Sequence, residues 1–590
     1  MCGIAGWMIE PGHTRDERQL IAMADSISHR GPDDRGVFLD PAGVAFVHNR
    51  LSIIDLTAAG HQPMASDDGS VVLSFNGEIY NFRDLRRELE GMGHQFKSRS
   101  DSEVLLHCYL QWGRQCADRL RGMFAFAIWS APDHELFLAR DPMGIKPLYY
   151  TALPGGHGFV FASEIKAFLA LPDFGPKINP SALSQFLEFG YSFDGDETSL
   201  AGVYKLPPGH WMSVRNGRPE KPKPYFFPAS AREEESATAA GSEESLYQVL
   251  SEVVEQHLIA DVPVGLLLSG GIDSSLVAAI AARHTRITTI TMAFSESAVD
   301  EREYARVVSR HIKSDHHEIT IDPHEVSDGL SSVAWIFDDL FADWGTVSTR
   351  LMYLKCREQG IKVVLVGEGS DELFGGYPIF ETAQTLSGPM TWRLFQLYRR
   401  YAGRRYGRQF PRFRSIMQSH LASEQGDLFG AVRLFESRNQ LPNNYVMKVD
   451  KASMSVSVEA RAPFLDRRVA EIAYRTPAGR LLQPGSNKHL LRSMAARYGL
   501  LPPEISNRPK FGASIAASWM DDSDQFRRFA SQIILDKHGW VDQLGLRGAM
   551  TDFFAGKRQG YGFPRAISLF SNLAWRLLLL NLWSFKYLNA

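Results

Sequence analysis

The sequence predicts a two-domain chain of mixed α+β and α/β class, with a strand-rich head joined to a parallel-sheet domain that has a helical C-terminal part. Three observations carry this. Residues 1 to 225 are built from short apolar runs broken by Gly, Pro, Asn and Asp, as in VAFVHNRLSIIDL and VVLSFNGEIYNF, which are strand and turn signals. Residues 226–242 contain PASAREEESATAAGS, small and polar with almost nothing to bury, which marks a linker. From 243 to 590 the pattern alternates: VPVGLLL reads as a buried strand, SSLVAAIAARH as a helix, ITTITMAF as a second strand, and KVVLV as a third preceded by the helix-like LMYLKCREQG. Alternation of this kind implies parallel strands with crossover helices.

Composition narrows the function. With 590 residues, 44% hydrophobic and 22% charged, the chain can bury a core in each domain, and a net charge of -3 supplies no field to gather nucleic acid or hold an anionic membrane. Small-molecule partners are expected, with no nucleic acid and no membrane. Eight arginines among aromatics at 393–414 read as a solvated helical face plus loop; an acidic partner is the minority view. The four cysteines show neither zinc spacing nor a disulfide framework, which favours a reducing compartment, the cytoplasm. The most apolar tail segment, LLLLNLW at 577–583, is too short to span a bilayer.

The first chemical centre is MCGIAGW. If the initiator methionine is removed, Cys2 becomes a thiol beside a free α-amine, which titrates near pH ~8 and can accept the thiol proton. A buried structural cysteine is the plain alternative. Attack on a carboxamide also needs an oxyanion hole and charged clamps. Asn76-Gly77 could supply a side-chain amide and a backbone N–H, or could simply be a tight hairpin turn. Arg50 could clamp a carboxylate and Asp101 an ammonium. In order, MCGIAGW, HRGPD (29–33), RLSIIDL (50–56), NGEIYN (76–81), SDSE (100–103), GMFAFA (122–127) and RDPMGIKPLYY (140–150) resemble the glutaminase domain of class II amidotransferases. That resemblance implies an N-terminal-nucleophile αββα sandwich. It further implies that Cys2 forms a glutamyl thioester, that Asn76 and Gly77 form the oxyanion hole, and that Arg50, Glu78 and Asp101 bind glutamine.

The second centre is SGGIDSS (269–275), a strand-to-helix turn whose glycines, hydroxyls and helix N-terminus favour a phosphate. It lacks the Gly-Lys-Ser/Thr ending of a Walker loop. GEGSDELFGGY (367–377) follows KVVLV, so its acidic residues should lie at a strand's carboxyl end, and Asp273 with Asp371 could share magnesium over pyrophosphate. SGGIDSS resembles the pyrophosphate loop of ATP pyrophosphatases. Together with DEREYAR (300–306), DHHE (315–318), KVDKASM (448–454) and VEARAPFLD (458–466), the chain is similar to the glutamine-hydrolysing asparagine synthetase family over nearly its whole length.

The resemblance implies ATP and Mg2+, and an aspartate adenylated before ammonia displaces AMP. Ser269, Gly270, Gly271, Asp273, Ser274 and Ser275 would bind pyrophosphate, and Leu267, Met292 and Gly367 the adenine and ribose. Glu368 would be base or orienting group, Lys510 would neutralise developing phosphate charge, and Met123 and Ile145 would line an ammonia tunnel. A homodimer is the assembly to test. Two departures touch the acceptor: Trp344 in DWGTVSTR (343–350) is bulkier than the family's usual residue, and Val366 replaces a serine. Rival readings are an amide-forming relative acting on a specialised metabolite or peptide carboxylate, and a glutaminase with a non-catalytic binding module.

Overall fold

The computed structural model describes residues 1–590 apart from 154, 228–241, 295–300, 322, 403–406, 509–519, 521–522, 558–568 and 589–590. The expected linker lies almost wholly outside the described residues, and Lys510 lies outside them too.

The head is two antiparallel sheets packed face to face. One sheet runs Tyr204–Lys205, Tyr149–Ala152, Gly158–Ala162, Gly3–Ile9, Val44–Arg50, Asp34–Asp40; the other runs Arg218–Pro219, His210–Arg215, Glu135–Arg140, Gly122–Ser130, Val71–Ile79, Met64–Ala65. Period-two alternation sorts the leading strand between two cores. Ile4 and Met8 meet Val72, Ala127 and Trp129 of the facing sheet, while Ala5, Trp7 and Ile9 share a core with Leu20 and Met23 of helix Glu17–Ser26. On the other side, Leu73 and Phe75 pack with Leu85 and Leu89 of helix Phe82–Gly91 and with Val104 and Leu105 of helix Asp101–Trp112. This is the αββα order the resemblance implied.

The second sheet domain is parallel throughout, in the order Asp315–Ile321, Thr288–Phe294, Val264–Leu267, Val363–Leu365, Glu459–Arg461. Val264–Leu267 and Val363–Leu365 are direct neighbours, so SGGIDSS and GEGSDE leave adjacent strand ends. The remainder is helical and ends in Leu569–Tyr587, which contains the apolar LLLLNLW; no helix among the described residues is long and apolar enough to cross a membrane. Residues 403–406 of the arginine-rich stretch lie outside the described residues; most of the rest falls on helices Met390–Ala402 and Phe410–Ser423, whose Leu394, Leu397, Tyr398 and Phe413 are buried and whose Arg412 pairs with Asp194 of the head.

The two domains meet through charges that are almost completely buried. Arg30 contacts Glu164 at 2.8 Å and Asp450 at 2.9 Å; Lys146 reaches Asp450 at 3.3 Å, and Lys451 reaches Asp338 at 3.0 Å. The Lys166 and Lys451 ammonium groups beside Glu164 hold its carboxyl well below the usual carboxylate range, against the effect of its burial. Asp338 also accepts the Ile165 and Lys166 backbone N–H groups and the Tyr587 hydroxyl. Removing one member of such a set leaves an uncompensated buried charge. Asp338→Ala should therefore lower the unfolding free energy by about 3–5 kcal/mol, read by urea denaturation.

Candidate active sites

Cys2 stands at the head of the leading strand and is buried. Its backbone N–H donates to Asn76 Oδ1 at 2.9 Å, and Arg30 Nε donates to the Cys2 carbonyl at 3.1 Å. Burial pushes the thiol's pKa up, partly countered by the N-terminal ammonium, a Leu51 backbone hydrogen bond and Arg50. Met1, present here, places its ammonium 3.2 Å from Glu459.

Asn76 and Gly77 are not a hairpin turn. They lie inside strand Val71–Ile79, opposite Ala125 and Phe124. A Cβ at Gly77 would stand 2.2 Å from the Met123 carbonyl, so the neighbouring strand demands glycine. With Oδ1 committed to Cys2, Asn76 Nδ2 is buried and has no partner among the described residues. An unmade hydrogen bond at a buried donor is costly, and here it points to an acceptor arriving beside the thiol.

The remaining head residues gather around the same strand end. The Arg50 guanidinium donates to the carbonyls of Asp55 at 2.5 Å and Thr57 at 3.1 Å, in space that Gly60 leaves open. Asp101 opens its helix behind the Ser100 cap and accepts the Ile79 N–H at 2.9 Å; burial pushes its pKa up to about 6. Glu78 receives Arg461 Nη2 at 2.8 Å, yet burial keeps its pKa well above the usual range.

The second centre is a cavity of about 670 Å³. Leu267, Ser269, Asp273, Ser274, Met292, Gly367, Glu368 and Asp371 all line it, together with both departures, Trp344 and Val366. Gly270 takes φ +67°, and a Cβ there would stand 2.6 Å from Tyr304 Cβ, so glycine is required twice over. Gly271 caps helix Ile272–His284, and Ser275 is fully buried within the helix's first turn. The two loops touch: a Cβ on Gly367 would be 2.8 Å from Ser274 N and 2.9 Å from Asp273 Cβ.

Lys488 escaped the sequence reading. Its Nζ lies 2.6 Å from Asp273 Oδ2 and 2.7 Å from Asp371 Oδ1, tying together the carboxylates expected to share magnesium. Two carboxylates are donors that suit a hard divalent ion, and in this structure the Lys488 ammonium holds both. Behind them, Glu372 accepts the Tyr377 hydroxyl at 2.6 Å, and burial beside Asp371 pushes its pKa up to about 8.

Met1, Leu51, Ile53, Tyr80 and Met123 of the head form one apolar cluster with Val363 and Met454 of the second domain, and Ile145 packs against it. The two tunnel candidates thus lie in one core with a strand of the nucleotide sheet. Sequence reasoning quoted Glu459 and Arg461 only as part of a motif. The structure brings both to the head, where Arg461 bonds Glu459 at 2.6 Å, Glu78 at 2.8 Å and the His257 and Ile259 carbonyls at 2.8 and 2.7 Å.

A cysteine at position two, bonded to a side-chain amide whose donor is unpartnered among the described residues, in an αββα sandwich coupled to a parallel sheet with a phosphate-type loop, defines a glutamine amidotransferase head on a nucleotide-dependent body. Comparison with known proteins is more specific. Residues 1–226 match the glutamine amidotransferase domain family and residues 245–584 the asparagine synthase family. Asparagine synthetase (glutamine-hydrolyzing) 1 of Bacillus subtilis is 32% identical over 568 residues, covering 87% of this chain and 86% of that protein. A putative asparagine synthetase (glutamine-hydrolyzing) of Mycobacterium bovis is 33% identical over 578 residues, covering 87% of each. Amidase chyE of Penicillium rubens is 35% identical over 432 residues, covering 67% of this chain and 62% of that protein. The chain belongs to the asparagine synthase family.

If Asn76 Nδ2 is an oxyanion donor, Asn76→Ala should lower kcat for glutamine hydrolysis by roughly 10²–10³-fold with KM little changed. Steady-state glutamate release measures it.

Proposed function

We propose that the chain makes asparagine from aspartate, glutamine and ATP, releasing glutamate, AMP and pyrophosphate. The observation that carries this reading is the presence on one chain of a thiol beside an unpartnered amide donor and of a nucleotide-sized cavity, with Met1 and Met123 of the head packed against Val363 of the nucleotide sheet.

At the head, the α-amine freed by loss of Met1 takes the Cys2 thiol proton, and the thiolate attacks the glutamine carboxamide. Asn76 Nδ2 and the Gly77 N–H stabilise the tetrahedral oxyanion. The amine returns its proton to the leaving nitrogen, ammonia departs, and water cleaves the glutamyl thioester to glutamate. Arg50 orients the glutamine carboxylate, Asp101 takes its ammonium end, and Glu78 accepts a hydrogen bond from it.

In the cavity, the aspartate β-carboxylate attacks the α-phosphorus, and pyrophosphate leaves toward Ser269, Gly270, Gly271, Ser274 and Ser275 at the helix N-terminus. Leu267, Met292 and Gly367 hold the nucleoside. Asp273 and Asp371 would hold magnesium, which would supply charge neutralisation for the phosphates. Ammonia reaches the acyl carbon past Met123 and Ile145, AMP leaves, and Glu368 takes the proton the new amide must lose. Lys510, outside the described residues, is assigned to the phosphates by its family motif alone. A cytoplasmic setting and a homodimer complete the reading; four free cysteines support the former.

Cys2→Ala should abolish glutamine-dependent synthesis while leaving ammonium-dependent synthesis within a few-fold of wild type. Asp273→Ala should do the reverse, stopping AMP release while glutamine hydrolysis continues. Loss of both activities in either variant would sink the assignment of separate centres.

Asp101 must be ionised to attract the substrate ammonium, and its pKa lies at about 6. KM for glutamine should therefore rise as pH falls through 6, approaching tenfold per unit, and stay flat above 7. Asp101→Asn should show a high KM without that inflection.

A further inference from the structure

The departure at Trp344 has a structural partner in the terminal helix Leu569–Tyr587. Trp344 stacks on Trp575 with ring centroids 4.4 Å apart and planes 13° from parallel, and its Nε1 donates to Asn572 Oδ1 at 3.0 Å. Trp575 Nε1 donates to the Ala342 carbonyl at 3.0 Å, and the Tyr587 hydroxyl to Asp338 Oδ1 at 2.9 Å. One helix therefore grips the loop 338–344 at both ends, from the buried charges between the domains to the rim of the nucleotide cavity.

At that rim Trp344 and Asn572 line the cavity, together with Asp343, Asn444 and Lys448. Asp343 Oδ1 lies 3.2 Å from Lys448 Nζ and accepts the Gly345 N–H at 2.7 Å. Asn444 Oδ1 is buried with no partner among the described residues. This corner thus offers a cation for a carboxylate, and a carboxylate with an unpaired amide oxygen for an ammonium. Beside them the Trp344 indole, stacked on Trp575 and with its N–H taken by Asn572, adds an apolar surface to the lining.

We propose that this corner selects the acceptor acid, and that the terminal helix, by fixing Trp344, sets how long that acid can be. The ligand class is a short α-amino acid whose second carboxylate reaches the nucleotide. A side chain with one more methylene would meet the indole face, and a pocket that discriminates one methylene does so by ~10–200-fold. This rests on the ligase reading above and adds to it the residues that choose the acid.

The test compares aspartate, glutamate and longer dicarboxylic amino acids in ATP-dependent pyrophosphate release, with ammonium as nitrogen source, for wild type, Trp344→Ala, Trp344→Phe and Asn572→Ala. In Trp344→Ala the aspartate KM should rise tenfold or more and the aspartate-over-glutamate ratio of kcat/KM should fall tenfold or more. The ATP KM and the rate of ATP-independent glutamine hydrolysis should stay within twofold. Trp344→Phe, which keeps a stacking ring, should restore most of the ratio. An unchanged ratio in folded Trp344→Ala, or equal losses in all three activities, would overturn the proposal. Should that variant not fold, Asn572→Ala decides: a threefold or greater fall in the ratio supports it and an unchanged ratio overturns it. Wild type forming amide from none of these acids would instead overturn the ligase reading, and this inference with it.

Discussion

Arg461 is the interaction on which the rest depends. Its side chain is wholly removed from solvent, and it is satisfied by two carboxylates and two carbonyls: Glu459 on its own strand, Glu78 in the head, and the His257 and Ile259 carbonyls at the end of the helix that opens the second domain. A buried guanidinium is tolerable only when its donors are taken, and Arg461's partners come from three separate parts of the chain. The last strand of the nucleotide sheet therefore cannot shift relative to the glutamine side without breaking charge-assisted bonds. Burial penalises its charge, yet Glu459 and Glu78 keep it protonated, so the clamp stays charged at every pH of interest.

That clamp borders an apolar cluster, with the Arg461 guanidinium 5.8 Å from the Tyr80 ring. Around Met123, Val363 and Met454 the packing is apolar, and the Arg30, Lys146, Lys451, Glu164, Asp338 and Asp450 set that pins the domains is paired within itself. Charges that satisfy one another can seal an interface against water, where one unpaired group would draw water in. Free ammonia survives as a nucleophile only where no acid can protonate it. An apolar wall rimmed by committed charges meets that condition better than an open polar channel would.

How much of this was legible in the sequence follows from the kind of signal each residue leaves. The short apolar runs in VAFVHNRLSIIDL and VVLSFNGEIYNF, and VPVGLLL and KVVLV, announced both sheet types, because burial patterns are local. Asn76-Gly77 is ambiguous by local rules: the pair that makes a hairpin turn also serves where a neighbouring strand passes too close for a Cβ, and only the opposed Met123 carbonyl decides. Lys488 was missed because SNKHL carries no phosphate-loop signature; it matters by lying between two aspartates more than a hundred residues away. Arg30 and Asp450, and Glu78 and Arg461, pair across the domain boundary, so each reads alone as an ordinary surface charge. Trp344 was noticed as a misfit, but its reason lies in Asn572 and Trp575, in a helix far along the chain.

The same network bears on how the amine beside Cys2 can act as a base. A bare carboxylate next to an α-amine favours the protonated form and would spoil it as a proton acceptor. Glu459 is such a carboxylate, already 3.2 Å from the chain's terminal ammonium. Its other oxygen, however, is held by Arg461 Nε at 2.6 Å, and Lys146 adds positive potential nearby. Much of the negative charge facing the terminus is therefore spent on the clamp. When Met1 is lost, the new amine is the nitrogen that donates to Asn76 Oδ1, and the Glu459 carboxylate that faced the old terminus stays held by Arg461. The arginine that fixes the two domains thus also orders the charge around the chain's first residues, which is why a residue of the second domain belongs in any account of the first.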